Sequence, residues 1–394
     1  MQVVILVAGE GTRLRPLTLT KPKPLLPVAN TFALKHNLDQ LPKRVKEVIL
    51  VIGYKREILK KEIGARYSYK GMKIRYIFQE KQQGTGDAAK KAAPFLRNKF
   101  LLLYGDDFYD KEDIKRCFLK EPSISLKKIE NPSNFGVIIV KGKKVIKLIE
   151  KPKKSISNLV NSGLYFLDKS IFNFKIKKSK RGEYEFTDYL KRLIEKDKLY
   201  FSLAKNWMPI SHLWDLFGVN KFLLKKIKRK IEGKIEKGVT IRGKVVIEKG
   251  TVIKGGTFIE GPVYIGKNCQ IGPNSFIRPS TSIQDNCKIG QAVEIKNSII
   301  GENTKIPHLS YVGDSIIGEN CNLAAGTIIA NLRHDNRTIK TWVNGNIVDT
   351  CRRKFGTVIG DNVKTGIGTL IFPGRKIWPG KTTLPGEIVK KDIL

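Results

Sequence analysis

The sequence predicts an α/β domain with a mostly parallel sheet over residues 1–218, a basic linker helix over 219–237, and a solenoid of short parallel strands over 238–394. Three observations lead there. Strand-like and helix-like patterns alternate through the first 215 residues, the order that builds parallel sheets flanked by helices. Ten isoleucines then fall at every sixth residue from Ile241 to Ile295 without a miss. No helix or simple sheet has that period, so it marks stacked short strands joined by corners, a parallel β-helix. An Ile-Gly-x-Asn turn also recurs at 265–268, 271–274, 300–303, 317–320 and 359–362, and Gly and Asn both tolerate the left-handed backbone of tight corners.

The first part opens on β-rich runs at Val3–Val7, Val48–Gly53, Ile74–Gln79 and Phe100–Tyr104, with helical patterns near 55–64, 84–95 and 186–197. A sheet of that kind binds ligand at the carboxyl ends of its strands. In the solenoid, six residues supply one flat side, three sides close a coil, and one aliphatic per side fills the axis. Each buried isoleucine contributes roughly 1.5–3 kcal/mol, so a single coil cannot offset its backbone entropy whereas a stack can. The ladder slips by one residue to Ile300, Ile306 and Val312, and again to Ile317, Leu323 and Ile329. It vanishes from Asn331 to Lys354 and resumes at Ile359, Ile371 and Ile377. An insertion in so strict a pattern is a loop extruded from one corner, where function tends to sit.

Composition excludes several classes. No apolar run is long enough to cross a bilayer, and MQVVILVAGEG enters a strand with no basic segment or cleavage site before it, so a cytoplasmic protein with no membrane partner is expected. The five cysteines lack any CxxC, which indicates neither a disulfide framework nor a zinc site. Cys269 and Cys287 sit one coil apart and should stack as small buried hydrophobes. The formal charge of +38 suits polyanionic ligands such as nucleotides and sugar phosphates. Lysines are spread through every segment without aromatic interleaving, which reads as compositional bias and argues against nucleic acid as a partner.

The first loop reads Ala8-Gly9-Glu10-Gly11-Thr12-Arg13-Leu14-Arg15-Pro16-Leu17-Thr18, followed by Lys21-Pro22-Lys23-Pro24-Leu25-Leu26-Pro27-Val28. Glycines directly after a strand let backbone N–H groups wrap phosphate oxygens, while Arg13 and Lys23 supply cationic charge. Alone, those two cations would read as solvated surface charge. The full string GxGTRLRPLT…KPKPLLPV is far more specific, and it resembles the sugar-1-phosphate nucleotidyltransferases over nearly all of residues 1–225.

That resemblance implies a Rossmann-like domain in which Ala8, Gly9, Gly11 and Thr12 cradle the nucleotide, and Arg13 and Lys23 are the catalytic cations. It places Gln79, Gln82, Gly84 and Thr85 at the base, Asp106 of Tyr104-Gly105-Asp106 on Mg²⁺, and Gly136, Glu150 and Asn161 on the sugar. A sugar-phosphate oxygen attacks the α-phosphorus of UTP or dTTP and pyrophosphate leaves, so catalysis is positioning plus charge neutralisation. One departure stands out. Relatives carry W-x-D-I-G-x-P-W-D-L, whose first aspartate is the second metal ligand, whereas Pro209 occupies that place here. Asp215 is the nearest surviving carboxylate and the candidate second ligand.

In the solenoid, Lys305-Ile306-Pro307-His308-Leu309-Ser310-Tyr311 interrupts the ladder with a histidine; Asn322-Leu323-Ala324-Ala325 and Asn331-Leu332-Arg333-His334-Asp335 follow, and Arg352-Arg353-Lys354 closes the loop. These stretches resemble the acetyltransferase domain of the bifunctional glucosamine-1-phosphate acetyltransferase/N-acetylglucosamine-1-phosphate uridyltransferases, above all the archaeal type. The resemblance implies a left-handed parallel β-helix that forms a homotrimer with sites between subunits. It makes His308 the general base for attack of the substrate amine on acetyl-CoA, and an imidazole suits that task because its ordinary pKa is near neutral. Arg278, Lys296 and Tyr311 match sugar-phosphate contacts, and Asn322 and Asn331 match orienting groups. Ala325 lies on the acetyl-CoA path, and Arg337 stands where a loop lysine is usual, with Lys340 close by.

The leading expectation is therefore an enzyme that acetylates an amino-sugar 1-phosphate and couples it to UTP or dTTP. Two alternatives stay open. One is a glucose- or mannose-1-phosphate nucleotidyltransferase with a non-catalytic solenoid; the other is a non-catalytic regulatory subunit of the translation-factor exchange type.

Overall fold

The structure is a computed structural model that describes residues 1–64, 68–153 and 156–394. They divide into two compact units, Met1–Glu10 with Ala33–Pro209 and Gly11–Phe32 with Ile210–Leu394.

The first unit is Rossmann-like. Four strands, Met72–Phe78, Glu47–Ile52, Gln2–Val7 and Lys99–Tyr104, lie side by side in parallel, Val4 pairing with Ile49 and with Leu102. Helices Ala33–Gln40, Arg56–Ile63 and Thr85–Ala92 make the crossovers between them. Gln2–Val7 and Glu47–Ile52 are buried on both faces, so they read as near-continuous apolar runs, whereas Met72–Phe78 nearer the sheet edge alternates. The expectation of a mostly parallel sheet fails beyond Tyr104. Leu159–Asp168 runs antiparallel to Lys99–Tyr104 and to Ser123–Lys128. Gly136–Lys141 and Lys144–Glu150 form a hairpin around Gly142-Lys143, too short a link for a parallel crossover. The ten-stranded sheet is mixed.

The second unit carries three stacked parallel sheets of eight, five and eight strands. Their registers follow the ladder: Ile259 pairs with Ile277 and Ile277 with Ile295, while Ile253, Ile271 and Ile289 make the neighbouring side. Nine of the ten periodic isoleucines are fully buried, and Ile241 at the open end is partly so. Cys269, Cys287 and Cys321 fill the same core. The corner turns divide their labour. Asn268, Asn274, Asn303, Asn320 and Asn362 all take positive φ, as expected. The glycines before them mostly do not; a Cβ on Gly266 would sit 2.3 Å from Asp285 Oδ1 and 2.8 Å from its backbone N, so that glycine serves close approach of coils.

The basic stretch 219–237 departs from the expected linker helix. The helix is Asp215–Lys226, and Lys230–Ile231 and Lys234–Ile235 are already strands paired with Val246–Ile247 and Val252–Ile253. With them the first coil starts two sides before Ile241, where the strict ladder begins. Fully buried Asn220 ties the helix down: its Oδ1 accepts from Ala29 N (2.7 Å) and Ser282 Oγ (2.9 Å), and its Nδ2 donates to Ser280 O (2.9 Å). A buried amide satisfied on both ends fixes where segment 11–32 lies on the solenoid.

After Ile317 the chain completes one more coil, Asn322 bridging to Lys305 and Ile328 pairing with Tyr311 and Leu370, before residues 331–354 leave the wall and Ile359 resumes on Ile317. The departing residues form the hairpin Lys340–Val343 with Asn346–Asp349, closed at its base by a Leu332–Lys354 bridge.

Candidate functional site

In the first unit the predicted nucleotide residues gather at the carboxyl ends of the parallel strands. Ala8 O accepts from Gln82 Nε2 (3.1 Å) and from Tyr54 N (3.1 Å). Buried Gln79 donates to Gly84 O (3.1 Å) and Asp87 Oδ2 (2.8 Å), which fixes the Gln79–Gly84 turn. Gly84 has φ +101°, and a Cβ there would meet Tyr184 O at 2.5 Å, so only glycine fits. Thr85 Oγ1 accepts from Phe186 N (3.0 Å), and Gly9 faces open space.

The three sugar candidates also converge. Gly136 is paired with Glu150 across the hairpin, and a Cβ on Gly136 would lie 3.1 Å from Glu150 Oε2 and 3.7 Å from Asn161 Cβ. Asn161 Nδ2 donates to Tyr165 OH (2.7 Å), and burial raises the Glu150 carboxyl above its ordinary range. Asp106 stands one glycine past the strand Lys99–Tyr104. Its neighbour Asp107 accepts from Trp207 Nε1 (3.2 Å), and Phe108 and Met208 exchange backbone bonds, so Pro209 stands beside this strand end.

In the second unit Gly11 takes left-handed backbone (φ 69°) and opens the short turn Thr12–Leu14, while Thr18 Oγ1 donates to Gly11 O (3.0 Å). Arg13 is exposed and Lys23 buried. Both act electrostatically on Asp215 and His212. Asp215 Oδ2 accepts from Ser211 N (2.8 Å) and His212 N (2.7 Å), and burial lifts its pKa despite those bonds and the two cations. Through Oδ2 it anchors the 211–215 turn. His212 stacks on Trp214 (centroids 4.5 Å, planes 3° apart), and its pKa falls to about 4 through burial, then Arg13 and Lys23.

Magnesium commonly takes one or two carboxylates and completes its shell with substrate phosphates. Asp106 at a strand end fits that demand, and among the described residues no group of three His, Cys, Asp or Glu forms a protein-only cage.

On the solenoid the pitch itself builds the site. Arg278 and Lys296 follow the paired residues Ile277 and Ile295, and Lys296 pairs with Gly313, so all three share one corner. Asp314 is the hub there. Its carboxylate accepts from Asn331 Nδ2 (2.6 Å) and Asn297 Nδ2 (2.7 Å) and pairs with Lys296 Nζ (3.4 Å). Asn331 also donates to Tyr311 OH (3.1 Å). Arg278 pairs with Glu294 (2.7 Å), while its Nε is buried with no partner among the described residues. Lys296, Tyr311 and Asn331 are thus brought together, and the sequence reading missed Asp314 and Glu294. The acid following Tyr311-Val312-Gly313 at the start of the next corner was the available signal.

Exposed His308 ends the strand Lys305–His308, in register with Gln291, at the opposite corner of the side that carries Tyr311. Asn322 stacks on Lys305 by a parallel bridge and Ala325 O accepts from Gly368 N (2.8 Å), so both belong to the His308 side. Arg337 and Lys340 lie exposed in the extruded loop, Arg337 N donating to Asp335 Oδ1 (3.2 Å).

The class is that of a nucleotidyl transferase: the Nucleotidyl transferase family matches residues 2–226. The GMPPB C-terminal domain family matches residues 259–393. The "Bifunctional protein GlmU" of Methanococcus maripaludis (strain C5) is 46% identical over 100% of this chain and 95% of its own length. The "Bifunctional sugar-1-phosphate nucleotidylyltransferase/acetyltransferase" of Sulfurisphaera tokodaii is 39% identical over 100% of this chain and 98% of its own. A Bacillus anthracis crystal structure described as a glucose-1-phosphate thymidylyltransferase shares the fold, with a TM-score of 0.52 and 23% identity over 58% of this chain and 98% of its own. The chain belongs to the GlmU family of bifunctional transferases.

Proposed function

We propose that the chain acetylates glucosamine 1-phosphate with acetyl-CoA and then transfers a uridylyl group from UTP, with dTTP as the competing donor, to yield a UDP-N-acetylhexosamine. In the first reaction the amine forms a C–N bond with the acetyl carbon and the C–S bond breaks; His308 takes the amine proton and returns it to the departing thiolate, so coenzyme A leaves as thiol. In the second, a phosphate oxygen of the sugar bonds to the α-phosphorus and pyrophosphate leaves. Arg13 and Lys23 neutralise the charge that develops, Gln79 and Gln82 hold the base turn, and Glu150 and Asn161 receive the sugar. Magnesium held at Asp106 would supply further neutralisation of the triphosphate.

The observation that carries the acetyl-transfer half is the Asp314 cluster. A buried carboxylate that orders Lys296, Asn297 and Asn331 makes an anion clamp, which a passive stalk does not need. It disfavours nucleotidyl transfer to glucose or mannose 1-phosphate alone.

The same side of the solenoid supports a homotrimer. His308 and Lys296 sit at opposite ends of one solenoid side, on the order of 12 Å apart by extended-chain rise. A neighbour's histidine would serve the same sugar ring without spanning that distance. Ile328, Leu370 and Ile388 stack in register on that side and are 39–46% exposed, an apolar stripe suited to another copy. All five cysteines are free thiols, as a reducing cytoplasm allows.

The test is incubation of the purified chain with glucosamine 1-phosphate, acetyl-CoA and each of UTP and dTTP, with free thiol and pyrophosphate followed separately. Thiol release that precedes pyrophosphate release is expected. Release of neither product overturns the reading, and pyrophosphate without thiol restores the stalk.

A further inference from the structure

One edge of the solenoid is acidic. The corner turns of successive coils carry an acid at one fixed position: Asp285 in Ile283-Gln284-Asp285-Asn286, Glu302 in Ile300-Gly301-Glu302-Asn303, Glu319 in Ile317-Gly318-Glu319-Asn320 and Asp361 in Ile359-Gly360-Asp361-Asn362. Ile283, Ile300, Ile317 and Ile359 pair in register, so the four acids form a column. In a chain of net charge +38 that column stands out from a lysine background. Three of its members serve the wall itself. Asp285 accepts from Lys267 N (2.8 Å), Asp361 from Glu319 N (2.8 Å), and Glu302 from Asn286 Nδ2 (3.2 Å).

The Glu319 carboxylate instead forms an ion pair with Lys21. The two side chains are only 20% (Lys21) and 30% (Glu319) exposed, so solvent screens them less than an open surface pair. Burial pushes the Glu319 carboxyl up, Lys21 draws it back, and Asp361 and Glu302 push it up further. Lys21 is joined to Lys23 through Pro22, whose ring stiffens the link. Lys23 in turn is buried, and a Cβ on Gly11 would lie 3.1 Å from Lys23 Cβ and 3.2 Å from Thr18 Cγ2, so the loop that carries Arg13 is packed on it. Two further bonds hold the same segment: Gln284 Nε2, next to Asp285, donates to Ala29 O (2.8 Å), and Asn344 Nδ2 donates to Thr12 Oγ1 (3.0 Å).

We propose that Glu319 is a positioning residue for nucleotidyl transfer: its ion pair with Lys21 fixes the turn that aims Lys23 and, packed against it, the Arg13 loop. This rests on the nucleotidyl transfer proposed above. The solenoid then sets the geometry of the catalytic cations as well as carrying the second site.

The test measures kcat and KM for UTP by pyrophosphate release from the full chain on N-acetylglucosamine 1-phosphate. Glu319→Gln should lower kcat by about tenfold with KM held within about twofold, because a displaced cation costs the transition state more than the bound substrate. Lys21→Met should lose the same amount, and the double variant no more than either. Lys21→Arg, which keeps the ion pair, should retain kcat, and thiol release should stay unchanged in all four variants. Unchanged kcat in Glu319→Gln, a loss confined to KM, additive losses in the double variant, or a larger loss from Lys21→Met than from Glu319→Gln overturns the proposal. Should Glu319→Gln unfold in a thermal melt, Lys21→Met and Lys21→Arg decide, the first losing kcat and the second keeping it. A wild-type chain that releases no pyrophosphate instead overturns the functional reading.

Discussion

The two ends of the chain assemble charged sites by opposite means. On the solenoid, pitch does the work: Arg278, Lys296 and Gly313 share a corner because successive coils stack in register. In the α/β unit, Gln82 reaches Ala8, and Gly136 meets Glu150 and Asn161, through contacts no local repeat dictates. Periodic scaffolds place residues by counting, and open sheets place them by where each strand happens to end. The first kind of site should tolerate loss of a core rung poorly and uniformly; the second should fail at individual glycines and cations.

Four perturbations sharpen that contrast, taken from the largest effect down. Lys23→Ala should slow pyrophosphate release by roughly 10²–10³-fold, the usual loss when one stabilising donor is removed, with thiol release unchanged in a direct thiol assay. Ile277→Ala, at the centre of the ladder, should destabilise by about 2–5 kcal/mol, read as a lower denaturation midpoint in urea. Gly105→Ala would set a Cβ 2.2 Å from Val7 Cγ1 and 2.7 Å from Ile5 Cγ2. Overpacking of that kind costs about 1–3 kcal/mol and should show in the same urea melts. The smallest effect concerns His212, whose folded pKa of about 4 lies below its ordinary 6.5. Between those values the unfolded chain binds the extra proton, so stability falls as pH drops through the window. His212→Gln should flatten the dependence of Tm on pH from 6.5 to 4.

The ladder made the solenoid legible because its core repeats: Ile253, Ile271 and Ile289 announce their own register. The linker was misread because the basic residues of Lys228–Lys237 mask Ile231 and Ile235, which are already rungs. In the α/β unit the parallel half was readable from its apolar runs. The antiparallel half was not, since Leu159–Asp168 is chosen by a distant partner, Lys99–Tyr104. The candidate site was drawn from residues inside motifs, as with Arg13, Lys23 and His308, because a motif is read locally. Asp314 escaped because its meaning lies in tertiary contacts: it ties Lys296 and Asn297 of the coil before its own to Asn331 of the coil after.

The central claim is that two separate centres on one chain perform two transfers. His308→Ala tests it most directly, with thiol release measured on glucosamine 1-phosphate plus acetyl-CoA, and pyrophosphate release measured on N-acetylglucosamine 1-phosphate plus UTP. The account predicts that thiol release falls by roughly 10²–10⁴-fold, the usual reach of a general base, while pyrophosphate release is unchanged. Equal loss of both, or loss of neither, contradicts it.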